Sequence, residues 1–392
     1  MKENKTYSTE RVNLAACLGL AFFGVAMLSL GAILPNLVNA VPEAIGLPKY
    51  LSVGIILGTV IFGPIMDRYG YKWLLIISTL IMLAGLLCLA YSVDMTVLIA
   101  GIFCVGLGGG ILNGETNALV SDIYDDTKRG RKMSVLGACY CIGAMLWTLS
   151  CFFITDYKIP LIIFAAIMLI SVIFFIITNF PKAKLAVVKE DKPKAKDYTK
   201  MLLSPALLLV AFTLFFQSGF EGTSGSYTTS YLTRAGNITE SSAILSLTWF
   251  TVGMMIGRFA LSSFLKKMKD IVVLTIYMII GAIGVGMIYF FSNSAATVWT
   301  AMALIGFGVG ATYPVMLSHL GGVFRKLSGS AFSAAIFIAL CGQFLGNFLV
   351  GKMFNTNSFI FFPVVLVAMI VAILILAPIA TAACKRLINK EK

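Results

Sequence analysis

The sequence predicts an all-α polytopic membrane protein, with twelve transmembrane helices arranged as two pseudo-repeated six-helix bundles. Three observations carry that expectation. The first is composition: of 392 residues, 59% are hydrophobic and 12% charged, against about 25% charged in an average soluble domain, and mean hydropathy is +0.94. The second is a series of twelve apolar runs, most of them near or above the roughly 20 residues that cross a hydrocarbon core as a helix. The third is an internal repeat that relates the first six runs to the last six.

The runs fall at 12–38, 51–66, 73–91, 95–120, 133–154, 159–180, 205–231, 241–264, 271–292, 296–324, 330–354 and 359–384. Residues 1–11 are polar, and the first run is too long for a signal-peptide core and lacks a small-residue cleavage site, so no cleaved leader is expected. Loops alternate between nearly uncharged and basic. Twenty-five of the thirty Lys and Arg lie on the side that holds both termini, among them Arg68 and Lys72, Lys128 to Lys132, seven lysines in 182–200, and Lys266 to Lys269. The opposite side holds only Lys49, Lys158, Arg234 and Lys352, and Arg258 falls inside a run. By the positive-inside rule, both termini and the central loop face the cytoplasm, as in a multi-pass protein of the inner (plasma) membrane. The net charge of +13 is thereby a signal of topology. The partner it implies is a lipid bilayer, and a nucleic-acid partner has no support.

A polar, lysine-rich stretch separates the two groups of runs, giving an N-terminal bundle over 1–180, a linker over 181–204 and a C-terminal bundle over 205–392. Ser52-Val53-Gly54 with Leu57-Gly58 matches Thr251-Val252-Gly253 with Ile256-Gly257, and Gly106, Gly108 and Gly110 match Gly306, Gly308 and Gly310. Two parallel repeats of this kind occur in secondary transporters, whose substrate sites lie near the bilayer midplane at the repeat interface.

The stretch Gly106–Val120 holds the most telling chemistry. Four glycines are followed by Asn113, Glu115 and Asn117 inside an apolar run. A carboxylate there costs at least about 2.5–3.5 kcal/mol to insert, which makes it a functional candidate. Asn113 and Asn117 share one helical face, while Glu115 is rotated by about 200° from Asn113. The sequence does not say which set faces inward. In the seventh run, Gln217 and Glu221 share a face, with Ser224 close by. The eight cysteines form no CxxC pair, and Cys139 and Cys141 point apart on a helix. They read as small packing residues, so no metal, cofactor or disulfide framework is expected. No phosphate-binding loop, metal cluster or nucleophile elbow is present, and the chain is not expected to be an enzyme.

The turn Gly63-x-x-x-Asp67-Arg68-x-Gly70-x-Lys72 resembles the signature between helices two and three of the major facilitator superfamily. Span count, charge pattern and repeat extend the resemblance over the whole chain. Within that superfamily the sequence is similar to the fucose-permease-like branch of sugar:cation symporters. The similarity rests on Gly106–Val120, Phe220-Glu221-Gly222 with Tyr231-Leu232, Trp249 to Arg258, Tyr313-Pro314 and Ser330-Ala331-Phe332-Ser333. It implies the major facilitator fold, a monomer, and alternating-access import of a monosaccharide or related neutral polyol, coupled to H⁺ or Na⁺. An organic-anion or drug transporter of the same superfamily is the alternative. Efflux is disfavoured because Gly143-Ala144-Met145 stands where antiporters carry a Gly-Pro…Gly-Gly motif. Two positions depart from the branch: its helix-four carboxylate position is Asn113 here, with the acid at Glu115, and its helix-one acid position, four residues before Pro35, is Gly31.

The resemblance places helix seven at the central cavity, so Gln217 and Glu221 become candidates for hydroxyl recognition, together with Asn113, Asn117, Trp249 and Tyr313. A helix–helix hydrogen-bond patch is the bland alternative for Gln217 and Glu221. Glu115 or Glu221 is expected to carry the coupling proton or to ligate Na⁺, since a desolvated carboxylate suits proton exchange; a purely structural role is the alternative for Glu115. Tyr140, Trp147, Tyr227, Trp249 and Tyr313 can stack on a sugar or simply pack. Asp67, Arg68, Lys72 and Arg258 are candidate gating residues, with plain positive-inside anchoring as the alternative for the first three. His319, the single histidine, is expected to be a hydrogen-bonded helix-end residue.

Overall fold

A computed structural model describes residues 7–124, 126–181, 195–235, 238–324 and 328–390; within its helices, the side chains of 63–64, 66–69, 126–131, 134, 195–197, 262, 266, 328–329 and 389–390 are outside that description. Asp67 and Arg68 therefore lie outside the described residues as side chains.

The chain divides into two compact units, Met1–Val187 and Val188–Lys392. The first contains α1 (Thr9–Ala40), α2 (Pro48–Tyr69), α3 (Tyr71–Tyr91), α4 (Met95–Ile123), α5 (Asp126–Phe153) and α6 (Lys158–Ile177). The second contains a short α7 (Ala195–Leu202), then α8 (Pro205–Ala235), α9 (Glu240–Lys267), α10 (Asp270–Phe291), α11 (Ala295–Val323), α12 (Ser328–Asn355) and α13 (Phe362–Lys390). Eleven of these are long and apolar enough to cross a membrane, and α2, apolar over its described portion Pro48–Phe62, is the twelfth span. No strand occurs among the described residues.

The helices outrun the apolar segments that predict them, most clearly α5, which starts at Asp126 rather than at 133. Hydropathy marks the part of a helix that sits in hydrocarbon, whereas backbone hydrogen bonding continues into the headgroup region. The linker expected over 181–204 also carries structure: α7 lies within it and buries Met201.

Local chemistry explains several helix ends. Asp94 caps α4, its Oδ1 accepting from the N–H groups of Thr96 (2.9 Å) and Val97 (3.2 Å), which satisfies two of the orphan donors of the first turn. Between α2 and α3 the chain reverses in a single residue, Gly70, at φ 78°. That left-handed conformation favours glycine, which gives the glycine of the Asp67-Arg68-x-Gly70 signature a backbone role.

Lipid supplies no hydrophobic drive between helices, so close packing of small residues must hold them together. The repeated glycines do this in the same way in both units. A Cβ on Gly54 or Gly106 would strike the carbonyl oxygen of Phe103 or Leu51, joining α2 to α4. A Cβ on Gly253 or Gly306 would strike that of Ala303 or Phe250, joining α9 to α11. Likewise Gly143 abuts the Ala21 carbonyl between α1 and α5, and Gly342 abuts the Phe215 carbonyl between α8 and α12. Many buried hydroxyls bond inside their own helices, as in Ser78 to the Leu74 carbonyl, Thr116 to Leu112 and Thr223 to Gly219, each 2.7 Å. This is how the polar stretch of α8 can lie buried.

Candidate functional site

Each unit gathers its polar side chains differently. In the first, α4 is one unbroken helix, so the 200° separation of its two polar sets persists. Asn113 and Asn117 lie half-buried on one face, joined by Asn117 Nδ2 donating to the Asn113 carbonyl (2.7 Å) and, at 3.3 Å, to Asn113 Oδ1. Glu115 points the other way and is fully buried. It lies against the backbone of Leu75 on α3, but neither carboxylate oxygen makes a hydrogen bond of good geometry to any described residue. Gly114, between the two sets, faces the ring of Phe62 on α2.

In the second unit, three helices bring four of the candidates together. Tyr313 on α11 lies within electrostatic reach of both Glu221 on α8 and Arg258 on α9. One turn from Glu221, the buried Gln217 donates from Nε2 to the Val309 carbonyl (3.1 Å), one turn before Tyr313, and its Oε1 has no hydrogen-bond partner among the described residues. The close α9–α11 contact sets this geometry: a Cβ on Gly310 would lie 3.2 Å from the Arg258 backbone nitrogen. Pro314, inside α11, brings no N–H to the helical ladder at this level. Ser224 on α8 is buried, and its hydroxyl is another unsatisfied group. The result is one acid, one cation, a phenol and an amide within a few turns of one another, with Gln217 buried and the other three half-buried. Arg258, expected at a gate, thus stands with Glu221 and Tyr313.

The remaining candidates stand apart. Trp249 on α9 is 41% exposed. Trp147 and Tyr227 are fully buried, their polar ends donating to the carbonyls of Leu28 (3.0 Å) and Asn347 (3.0 Å), which makes them packing residues. Lys72 donates from Nζ to the Ile176 carbonyl (2.6 Å) and so caps the end of α6. At the same end of this unit the Tyr71 hydroxyl donates to Asp122 Oδ2 (2.7 Å), tying the start of α3 to the last turn of α4. In the second unit His319 Nε2 lies 3.2 Å from Asp270 Oδ2 at the start of α10, but without hydrogen-bond geometry, so the hydrogen bond expected of His319 is not made through Nε2. No group of three or more His, Cys, Asp or Glu side chains among the described residues is placed to hold a metal ion.

Residues 12–346 match the sequence profile of the Major Facilitator Superfamily. The chain belongs to that superfamily. Among curated relatives, the glucose/mannose transporter GlcP of Bacillus subtilis (strain 168) is 23% identical over 357 residues, spanning 87% of this chain and 88% of that protein. Protein TsgA of Escherichia coli O157:H7 is 24% identical over 278 residues, 69% of this chain and 68% of that protein. Among solved structures, the D-xylose-proton symporter superposes with a TM-score of 0.76 at 15% identity, covering 94% of this chain and 97% of that one. The E. coli fucose:proton symporter gives 0.64 at 17% identity, covering 95% and 98%. The fold is thereby that of the superfamily, as the sequence predicts, and GlcP and the two symporters are transporters rather than enzymes.

Proposed function

We propose that this protein imports a monosaccharide or related neutral polyol by alternating access, coupled to an inward flux of H⁺ or, as the second choice, Na⁺. It does so as a monomer in the inner membrane, with both termini in the cytoplasm. The observation that carries the proposal is the Gln217–Glu221–Arg258–Tyr313 cluster. A sugar presents hydroxyls that both donate and accept. Carboxylate and amide oxygens accept from them, while guanidinium, phenol and amide N–H groups donate to them. The acid and the cation balance in charge, which suits a neutral solute better than an anion. The free Oε1 of Gln217 offers an acceptor that the protein leaves unused. The Asn113–Asn117 face offers further hydrogen bonds, and the exposed ring of Trp249 offers an apolar stacking surface.

Coupling falls to Glu115, with Glu221 as the second candidate. A charged carboxylate that is buried and unpartnered is costly in hydrocarbon, whereas its protonated form is tolerated there. Binding and releasing a proton is therefore the chemistry that can make such a residue useful. The similarity to glucose/mannose, xylose and fucose transporters supports a sugar as the substrate, by analogy.

The test uses purified protein in liposomes with a trapped pH dye, to which hexoses, deoxyhexoses and pentoses are added outside with and without Na⁺. Sugar-dependent internal acidification is the expected result and identifies the substrate. Entry of labelled sugar without acidification, dependent on Na⁺, moves the coupling to Na⁺. Failure of every sugar to enter overturns the substrate class and points to organic anions or drugs.

A further inference from the structure

We propose that Cys17 and Cys139 form a dithiol that a hydroperoxide closes into a disulfide, stapling α1 to α5 within the N-terminal unit. In sequence the two are separated by more than three helices, and nothing in their spacing pairs them. In the structure their thiols come within hydrogen-bonding reach of each other. Both are free and only half-buried, so a small oxidant can reach them.

The backbone places them there. α1 and α5 run in parallel with a constant register: Ala21 meets Gly143, Gly24 meets Tyr140 and Ala144, and Trp147 bonds to the Leu28 carbonyl. Cys17 and Cys139 lie one turn before the Ala21–Gly143 contact on their respective helices. At that contact the absence of a side chain on Gly143 lets the two backbones touch. A disulfide needs Cα atoms about 4.4–6.8 Å apart and Cβ atoms about 3.5–4.5 Å apart, and few helix pairs approach closely enough to allow it. Asn13, one turn earlier, donates from Nδ2 to Cys17 Sγ (3.8 Å). The Lys132 ammonium lies within electrostatic reach of the same thiol. Both groups hold the Cys17 sulfur in place on the α5 side of the helix pair.

The chemistry balances. One thiolate attacks the peroxide O–O bond, becoming a sulfenic acid and releasing an alcohol or water. The second thiol attacks that sulfur, the S–S bond forms, and the sulfenic oxygen leaves as water. The two cysteines lose two electrons and two protons, and the hydroperoxide is reduced. The same pair of sulfurs is positioned to chelate a trivalent arsenical, which condenses with two thiols and releases water without any redox change. That reagent probes the pairing independently.

The full-length protein in lipid nanodiscs is exposed to hydrogen peroxide, remaining thiols are blocked with N-ethylmaleimide, and peptides are mapped by mass spectrometry. The expected product is a peptide pair linked between Cys17 and Cys139, restored to two labelled thiols by a dithiol reductant, with Cys88, Cys104 and Cys341 still labelled. Phenylarsine oxide is expected to shield both cysteines from maleimide in the wild type, and neither the remaining Cys17 nor the remaining Cys139 in the Cys139→Ser and Cys17→Ser variants. Each serine variant keeps the size of its side chain, and its folding is checked by gel filtration. Two separately oxidised cysteines without a link, or labelling of both after phenylarsine oxide, overturns the proposal.

Discussion

The two units are built on one packing plan and carry different chemistry on it. Gly54, Gly106 and Gly143 meet carbonyl oxygens in the first unit just as Gly253, Gly306 and Gly342 do in the second. Yet at equivalent places on α4 and α11 the side chains diverge. The half-buried position is Asn113 in one and Tyr313 in the other, and the buried position is Glu115 in one and Val315 in the other. Thr59 on α2 corresponds to Arg258 on α9. A close backbone contact tolerates no Cβ, so any drift at those glycines disrupts the fold in both halves alike. A side chain one or two positions away does not set the helix–helix distance, so each unit can specialise: the first with a buried acid, the second with a charged and hydrogen-bonding cluster.

The sharpest way to break this comparison is to erase the difference at the buried position. Glu115→Val gives α4 the residue that α11 already carries there. It is expected to abolish gradient-driven accumulation while leaving exchange of labelled for unlabelled sugar intact in liposomes. Because a buried unsatisfied polar group costs about 1–3 kcal/mol, the variant should also melt at a higher temperature than the wild type. Full accumulation by Glu115→Val would remove coupling from the first unit altogether.

Next in size are the shared contacts. Gly106→Val and Gly306→Val each force a side chain into a neighbouring backbone and are expected to destabilise by at least about 1–3 kcal/mol, to similar extents, as read from thermal unfolding in detergent. A large effect in one half only would show that the packing plan is not shared.

The cluster in the second unit is tested by Glu221→Gln and Arg258→Gln. Each should weaken sugar binding about 10–100-fold, or about 1.4–2.7 kcal/mol, measured by equilibrium dialysis or tryptophan quenching. Asn113→Ala should weaken it less. An Asn113→Ala loss larger than either would reverse the assignment of the main recognition surface to the second unit.

The smallest effect concerns the two helix-end ties. Tyr71→Phe deletes the hydrogen bond to Asp122 and should cost about 0.5–1.5 kcal/mol in unfolding free energy. His319→Phe removes a contact to Asp270 that makes no hydrogen bond through Nε2 and should cost less. Transport rates that fall much further than stability in either variant would give these ties a part in the conformational cycle.

The helical spans, the repeat and the polar positions were legible in the sequence, because length, hydropathy and glycine spacing are local properties. Legible too was that Asn113 and Glu115 point apart on any helix undisturbed at Gly114, and α4 is continuous there. What only the tertiary structure decided was rotation and pairing. A membrane helix meets apolar surroundings on its lipid side and on its core side, so hydropathy does not reveal which face turns inward. That Glu115 goes inside against Leu75 while Asn113 and Asn117 do not was set by how α3 and α4 pack. The gathering of Glu221, Arg258 and Tyr313 from α8, α9 and α11, and the meeting of Cys17 with Cys139, depend on helix contacts between residues tens of positions apart. No local pattern encodes such contacts; the close approach of glycine-faced backbones creates them.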